Sequence, residues 1–409
     1  MMKKIALYGI GGLYNYGCEA IVRGTVANIR AINKNCKITY YSKFYEYDKE
    51  QIKDLEIEVV NIESRENFFK KVISKSIDIL GINILPFNKR EHKKIISDND
   101  IIFSIGGDIY SIPKYMRDKN TYKYINNMVE FGELAKKKEK KVIIYGASIG
   151  PFGEYEKAKK YFSNHLKKID LIVCRENYSL NYLKELGLNE NLIFLPDPAY
   201  WIESNNKNSN CKTYIGVNLS ALSIHEIYGS IDERTIKRLS ELIEEINKKT
   251  GLSIMLIPHV YSPFDKFDND YEFLNKIHQN LPNNIKKYTK LVKPKSFIDV
   301  KRYLSECKLV VAARMHCAVN AITESIPTIF LSYSIKSKGM AEFIYGELNW
   351  FLNLNKIENE LPNLILELNN KIDIITEELD ETNKKINKYF SINNKEYTKL
   401  VNLLKDESE

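Results

Sequence analysis

The sequence predicts an α/β protein of two Rossmann-like domains facing a cleft, followed by a C-terminal helical extension. Short β-branched runs alternate with helical stretches, the signature of parallel strand–helix units. A polar run, Trp201-Ile202-Glu203-Ser204-Asn205-Asn206-Lys207-Asn208-Ser209-Asn210, interrupts the alternation, which restarts at Tyr214-Ile215-Gly216-Val217-Asn218-Leu219. From about Leu361 the text turns helical with no further strand signal.

Strands are expected at 4–8, 37–41, 57–62, 101–105, 141–145, 171–174 and 192–195 in the first half. Helices are expected at 19–33 and at 178–186, the latter stopped by Gly187. After the polar run, Ile236, Leu239, Ile243 and Ile246 share one helix face, and Gly251 stops that helix. Further strands are expected at 253–257, 288–292, 309–312 and 328–331. Leu361, Ile365, Leu368, Ile372, Ile375 and Leu379 step by four and three, which makes an amphipathic helix. Such a helix packs across the domains or forms a coiled-coil seam. The expected domains are therefore 1–203 and 211–345, both Rossmann-like, with the helices of 346–409 packing on them. In such sheets ligands sit at the carboxyl ends of the strands.

Composition narrows the function classes. The chain has 409 residues, 44% of them hydrophobic, enough for a globular core. Its net charge of +8 comes from scattered lysines such as Lys136-Lys137-Lys138-Glu139-Lys140-Lys141, which read as a solvated helix end. Nucleic acid is not an expected partner, and a mild attraction to anionic lipid stays open. No run of about 20 apolar residues exists, so no bilayer span is expected. The N-terminal apolar run is too short for a signal peptide. Six cysteines, at 18, 36, 174, 211, 307 and 317, show neither CxxC pairing nor zinc spacing. The expected compartment is the reducing cytoplasm, with association at the inner membrane face left open.

The strongest chemical signal is Lys308-Leu309-Val310-Val311-Ala312-Ala313-Arg314-Met315-His316-Cys317-Ala318-Val319-Asn320-Ala321. An apolar strand ends, Arg and His appear two residues apart, and a small-residue helix begins. The helix start carries partial positive charge, Arg is a fixed bidentate donor for phosphate or carboxylate, and His moves protons near neutral pH. Together they suit a phosphorylated anion that must react.

A second signal is Gly9-Ile10-Gly11-Gly12-Leu13-Tyr14-Asn15-Tyr16-Gly17-Cys18-Glu19-Ala20, between the first strand and its helix. It is not GxGxxG, since Tyr14 stands where the third glycine belongs. Asn15, Tyr16 and Glu19 are candidates to hydrogen-bond a sugar, although a tight strand–helix turn also accounts for the glycines. Two more strand ends carry Ile105-Gly106-Gly107-Asp108 and Tyr145-Gly146-Ala147-Ser148-Ile149-Gly150-Pro151. Arg175-Glu176 follows another strand, as a ligand contact or a structural pair, and Pro196-Asp197-Pro198 reads as a rigid turn. Further on, Pro258-His259 ends a strand, and Asp268 and Asp270 follow in polar text and read as solvated. Lys336, just past the last strand, offers a second positive charge. His92, His165, His225 and His278 receive no role. No metal spacing, GxSxG elbow or Walker A sequence occurs.

These blocks, in this order, resemble the polysaccharide pyruvyl transferase family. They are Asn15-Tyr16-Gly17 with Glu19-Ala20, Gly106-Gly107, Gly146 to Pro151, Arg175-Glu176 with Ser179 and Leu183, Pro196-Asp197, Pro258-His259, Arg314-Met315-His316, and Ala321, Pro327 and Lys336. The sequence departs from the pattern at Cys18, where Asp is common, and at Asp108 and Ser325, where Gly is common.

The resemblance implies a glycosyltransferase-B-like fold. It also implies transfer of the pyruvyl group of phosphoenolpyruvate onto two hydroxyls of a cell-surface glycan or its lipid-linked precursor, as a ketal, with release of phosphate. From it Arg314 and His316 carry over as donor-binding residues, with His316 a candidate general acid–base. Read together with the residues themselves, the donor is expected on Arg314, Met315, His316, Lys336, His259 and Arg175, in the second domain apart from Arg175, with Arg314 and His316 catalytic, and the acceptor on Asn15, Tyr16, Glu19, Asp108 and Ser148 of the first. No cofactor or metal is called for. The alternatives are a B-type glycosyltransferase using a nucleotide sugar, with Glu324 holding a ribose, and a non-catalytic glycan-binding protein.

Overall fold

The alternation folds into two all-parallel sheets. The computed structural model describes residues 2–62, 89–107, 109–112, 126–202, 212–262, 268–333, 335–346 and 350–405. The first sheet holds β1 (Lys4–Tyr8), β2 (Lys37–Ser42), β3 (Glu58–Asn61), β4 (Ile101–Ile105), β5 (Lys141–Ala147), β6 (Leu171–Cys174) and β7 (Leu192–Phe194), in the order β3-β2-β1-β4-β5-β6-β7. The second holds β8 (Tyr214–Asn218), β9 (Ser253–Leu256), β10 (Thr289–Leu291), β11 (Cys307–Ala312), β12 (Thr328–Ser332) and β13 (Phe351–Asn353), in the order β10-β9-β8-β11-β12-β13. Ile5, Ala6 and Leu7 of β1 and Val310 and Val311 of β11 are fully buried. Both central strands are covered on both faces, which is why they read as unbroken apolar runs and not as alternation.

The strand expectations hold within a residue or two. The exception is β13, which was not foreseen. Its three residues carry one buried side chain, Leu352, and it exists because it pairs with β12. No periodicity can announce so short an element. The left-handed Gly251 ends the Glu233–Thr250 helix as expected, its N–H reaching the Asn247 carbonyl. Ser325 sits at φ 55°, in the left-handed region. Glycine enters that region without the steric cost a side chain incurs, which fits the glycine that the resemblance leads one to expect there.

Contacts along the chain define two compact units. Unit 1 comprises Met1–Leu13, Ile21–Trp201 and Ile392–Glu409, and unit 2 comprises Tyr14–Ala20 and Ile202–Ser391. The segment Tyr14–Ala20 therefore counts with unit 2, although it follows β1 in sequence. Its backbone explains this. Tyr261 N–H donates to the Tyr14 carbonyl at 3.0 Å, Asn15 forms an antiparallel bridge with Val260, and Tyr16 N–H donates to the His259 carbonyl at 3.1 Å.

The C-terminal periodicity resolves into two helices, Leu361–Glu377 and Leu379–Tyr389. Leu361, Leu364, Leu368, Ile372 and Ile375 are buried, so Leu364 takes the place expected for Ile365. Leu379 is 44% exposed and opens the next helix. The first helix packs on the Glu233–Thr250 helix of the same unit, with Lys249 and Asp373 2.7 Å apart. The last helix, Asn394–Leu404, belongs to unit 1, where Glu396 accepts from Phe194 N–H at 2.8 Å.

Candidate active site

In unit 2, β8 and β11 are neighbours, and Ala312 pairs with Asn218 at their carboxyl ends. Asn218 is fully buried. Its carbonyl accepts from Ala313 N–H at 2.9 Å, its Oδ1 accepts from Arg314 N–H at 2.9 Å, and its Nδ2 donates to the Ile257 carbonyl at 2.9 Å. One side chain thus fixes the turn out of β11 against the end of β9. The Met315–Thr323 helix then begins, with Arg314 in extended conformation at its N-cap. Arg314 gives no side-chain cap, so the helix start keeps its donors for other partners.

The guanidinium of Arg314 is aimed by two carboxylates. Nε donates to both oxygens of Asp270 at 3.2 Å, Nη2 donates to Asp270 at 2.8 Å, and Nη2 also donates to Asp268. Burial pulls the guanidinium pKa down, but Asp270 and Asp268 outweigh that and hold it above the usual arginine value. Nη1 has no hydrogen-bond partner among the described residues, and the side chain is 13% exposed.

The two acids differ. Asp270 is fully buried and also accepts from the backbone N–H groups of His259 at 3.1 Å and Val260 at 3.0 Å. Those bonds offset the cost of burying its charge. Asp268 is 20% exposed and bonds only Arg314 among the described residues. Both acids had read as solvated in sequence. That reading is corrected: with the arginine 46 and 44 residues away in the chain, nothing local announced the pairing.

His259 is buried, and Nδ2 of Asn320 lies 2.9 Å from its Nε2. Burial, and then the neighbouring His316 and Arg314, push its pKa well below the ordinary histidine value. That direction favours the uncharged ring, so a donor contact from His259 would be a hydrogen bond and not an ion pair. His316 is the second residue of the Met315–Thr323 helix and partly exposed. Gly17 lies against it: a Cβ there would come within 2.7 Å of His316 Cβ and Cγ and 2.8 Å of Nδ1. This glycine therefore makes room for the imidazole.

The other residues of that loop are structural in their contacts. Tyr16 is buried and its hydroxyl donates to the Pro294 carbonyl at 2.8 Å. Glu19 is buried and accepts from Phe297 N–H at 2.8 Å. Asn15 Oδ1 accepts from Gly17 N–H at 2.9 Å. Tyr16 and Glu19 therefore do not present open polar groups to a sugar, contrary to the expectation. Lys336 lies at the start of the Ile335–Tyr345 helix, partly exposed, and Met315 opens the His316 helix.

Arg175 and Ser148 lie in unit 1 and bond each other. Arg175 Nε and Nη2 donate to Ser148 Oγ at 3.2 and 3.1 Å, and Nη1 pairs with Asp197 at 2.7 Å. All three residues are fully buried. This is a structural pair, which corrects the expected ligand roles of Arg175 and Ser148. Asp108 lies outside the described residues. Glu324 is 5% exposed and paired with Lys301 at 2.8 Å.

A buried neutral histidine, a partly exposed one and an arginine with one open nitrogen thus share the carboxyl ends of a parallel sheet. The family model that matches this chain is polysaccharide pyruvyl transferase, over residues 15–335. The chain belongs to that family. The match starts at Asn15 in the loop that carries Gly17 and stops one residue before Lys336. This pyruvyl transferase family member is therefore a transferase in polysaccharide synthesis.

The search of curated proteins gives no match. Among solved structures, the chain is similar to UDP-GlcNAc 2-epimerase from Neisseria meningitidis bound to UDP-GlcNAc, with TM-score 0.60, 13% identity and coverage of 99% of this chain and 100% of that one. It is also similar to a glycosyltransferase from Rickettsia africae, with TM-score 0.54, 14% identity and 98% coverage of each chain. A third is UDP-GlcNAc 2-epimerase from Methanocaldococcus jannaschii, with TM-score 0.54, 12% identity, and 90% and 92% coverage. At these identities the likeness is one of fold, and the fold is the GT-B type expected from the sequence. Among the described residues, no helix is long and apolar enough to cross a membrane.

Proposed function

We propose that this transferase moves the pyruvyl group of phosphoenolpyruvate onto two hydroxyls of a sugar, in a cell-surface polysaccharide or its lipid-linked precursor. The observation that carries the reading is Arg314. Its charge is held firmly, its aim is fixed from Nε and Nη2, and Nη1 remains for an anion. His316 follows two residues later, in the first turn of the same helix.

The chemistry needs those groups. A sugar oxygen bonds to C2 of phosphoenolpyruvate while C3 takes a proton from His316 and becomes a methyl group. The C2–O bond to phosphate then breaks, phosphate leaves with the electron pair, and the second hydroxyl oxygen bonds to C2. One hydroxyl proton ends on the methyl group by way of the acid, and the other ends on phosphate. Arg314 offsets the negative charge of the leaving group, the kind of fixed electrostatic support that lowers such barriers.

Purified protein with phosphoenolpyruvate and a panel of sugar acceptors should release phosphate and add one ketal mass to the acceptor. A folded protein that does neither across a broad panel would sink the reading. The nucleotide-sugar alternative draws on the UDP sugar named with the Neisseria epimerase. Against it stands the burial of Glu324, whose side chain is 5% exposed and lies beside the Lys301 ammonium. Stabilisation by UDP and not by phosphoenolpyruvate in thermal melts would favour that alternative.

A further inference from the structure

We propose that Asp268 is the general base that takes the proton from the attacking sugar hydroxyl. The assignment rests on the phosphoenolpyruvate reading above. Three observations lead to it.

First, the site holds two carboxylates in unequal states. Asp270 is fully buried, with both oxygens engaged by Arg314 and by the N–H groups of His259 and Val260. It has no room to receive a proton from a substrate. Asp268 is 20% exposed, and only its Oδ1 is bonded, to Nη2 of Arg314, among the described residues. Its Oδ2 is an acceptor that nothing described there uses.

Second, the placement fits the reaction. A donor anion on Nη1 of Arg314 lies across one guanidinium from Asp268 on Nη2. A hydroxyl that adds to C2 of that donor from the Nη2 side meets Asp268.

Third, the other described groups around Arg314 fail as bases. His259 is buried, with Asn320 against its Nε2. His316 must begin protonated if it is to supply the C3 proton. Asn218 and Asn320 are amides.

The step balances. The Oδ2 of Asp268 takes the hydroxyl proton as the sugar oxygen bonds to C2, and the C2–C3 π pair takes the proton of His316. Asp268 is then neutral, and its proton passes to solvent as His316 recovers one.

The test uses the full-length chain and, as acceptor, whichever member of a panel of hexoses, methyl hexosides and lipid-linked hexoses gives the fastest phosphate release with the wild type. Asp268→Asn should lower kcat by about 10²–10⁴-fold, the usual worth of acid–base assistance, with KM for phosphoenolpyruvate within about threefold. The acidic limb of its kcat–pH profile should disappear. Asp268→Glu, which keeps a carboxylate, should recover part of kcat and restore the limb. Asp270→Asn serves as the contrast: it loosens the aim of Arg314 and should raise KM.

Retention of kcat in Asp268→Asn would overturn the assignment. So would a rise in KM that matches Asp270→Asn with the acidic limb intact. A wild type that releases no phosphate from phosphoenolpyruvate with any acceptor would remove the donor reading itself, and Asp268 with it.

Discussion

Arg175 and Arg314 are the same side chain in the same kind of place, each just past the carboxyl end of a strand in a parallel sheet. Arg175 follows Cys174 of β6 directly, and Arg314 follows Ala312 of β11 by two residues. Arg175 is fully buried and packed between Ser148 and Asp197. Arg314 is 13% exposed, held by two carboxylates on one side and open at Nη1. Position at a strand end is therefore not enough to make an arginine a ligand group. What separates the two is whether the surrounding fold uses the whole guanidinium fork.

The largest effect that tests this contrast is chemical. His316→Gln should cut kcat by about 10²–10⁴-fold with the protein still folded, measured as phosphate release from phosphoenolpyruvate. Arg314→Lys keeps the charge but loses the fork, and should raise KM for phosphoenolpyruvate by about tenfold or more. An unchanged KM would move the donor away from Arg314.

Arg175 should answer in stability instead. Arg175→Met leaves Asp197 buried without its cation, so about 3–5 kcal/mol of folding stability should be lost in chemical denaturation. If the variant melted like the wild type and lost only activity, the two arginines would exchange roles.

A smaller effect separates the histidines. His92 is buried against Tyr8, 2.7 Å from its hydroxyl, and burial pushes its pKa down to about 4. The unfolded chain binds a proton near pH 6.5 that the folded protein refuses. Stability from this group is therefore present above pH 6.5 and is lost as pH falls toward 4, by about 3 kcal/mol at most. Denaturation at pH 7 and pH 4.5 should show the loss, and His92→Phe should reduce it. An equal loss in the variant would assign the effect to other groups.

The smallest concerns the glycine beside His316. Gly17→Ala puts a methyl group within 2.7 Å of His316 Cβ and Cγ. Displacing the ring should lower kcat by about tenfold, with little change in melting temperature. An unaffected kcat would show that the exact seat of His316 does not matter.

These tests also mark how far the sequence could be read. The apolar strands and their order, the strand-to-helix junction at Arg314 and His316, and the ordered blocks of the family were legible, because each is a local pattern. The anchor of Arg314 was not. Asp268 and Asp270 sit in text where Asp, Asn, Lys and aromatic residues mix, with no strand or helix period to mark a buried face, and only folding brings them to an arginine 46 and 44 residues later. Asn218 lay inside an expected strand run and Asn320 inside a small-residue helix, and neither stood out. Conversely, Ser148 looked available because it closes a glycine-rich strand end, and Arg175 read equally as a ligand contact or a structural pair.

The loop after β1 shows the same division. Its composition, with Gly17 between Tyr16 and Cys18, announced a tight entry into a helix. It could not say that this entry bonds to His259 and Val260 or that Gly17 exists to admit His316. By itself the sequence determined the alternating parallel fold, the family and the strand-to-helix junction that carries Arg314 and His316, since strand and helix periodicity and short motifs are written in neighbouring residues. Tertiary structure alone decided which arginine keeps an open donor, which carboxylate is committed, and why the glycine is needed. Those depend on burial and on hydrogen bonds between residues far apart in the chain.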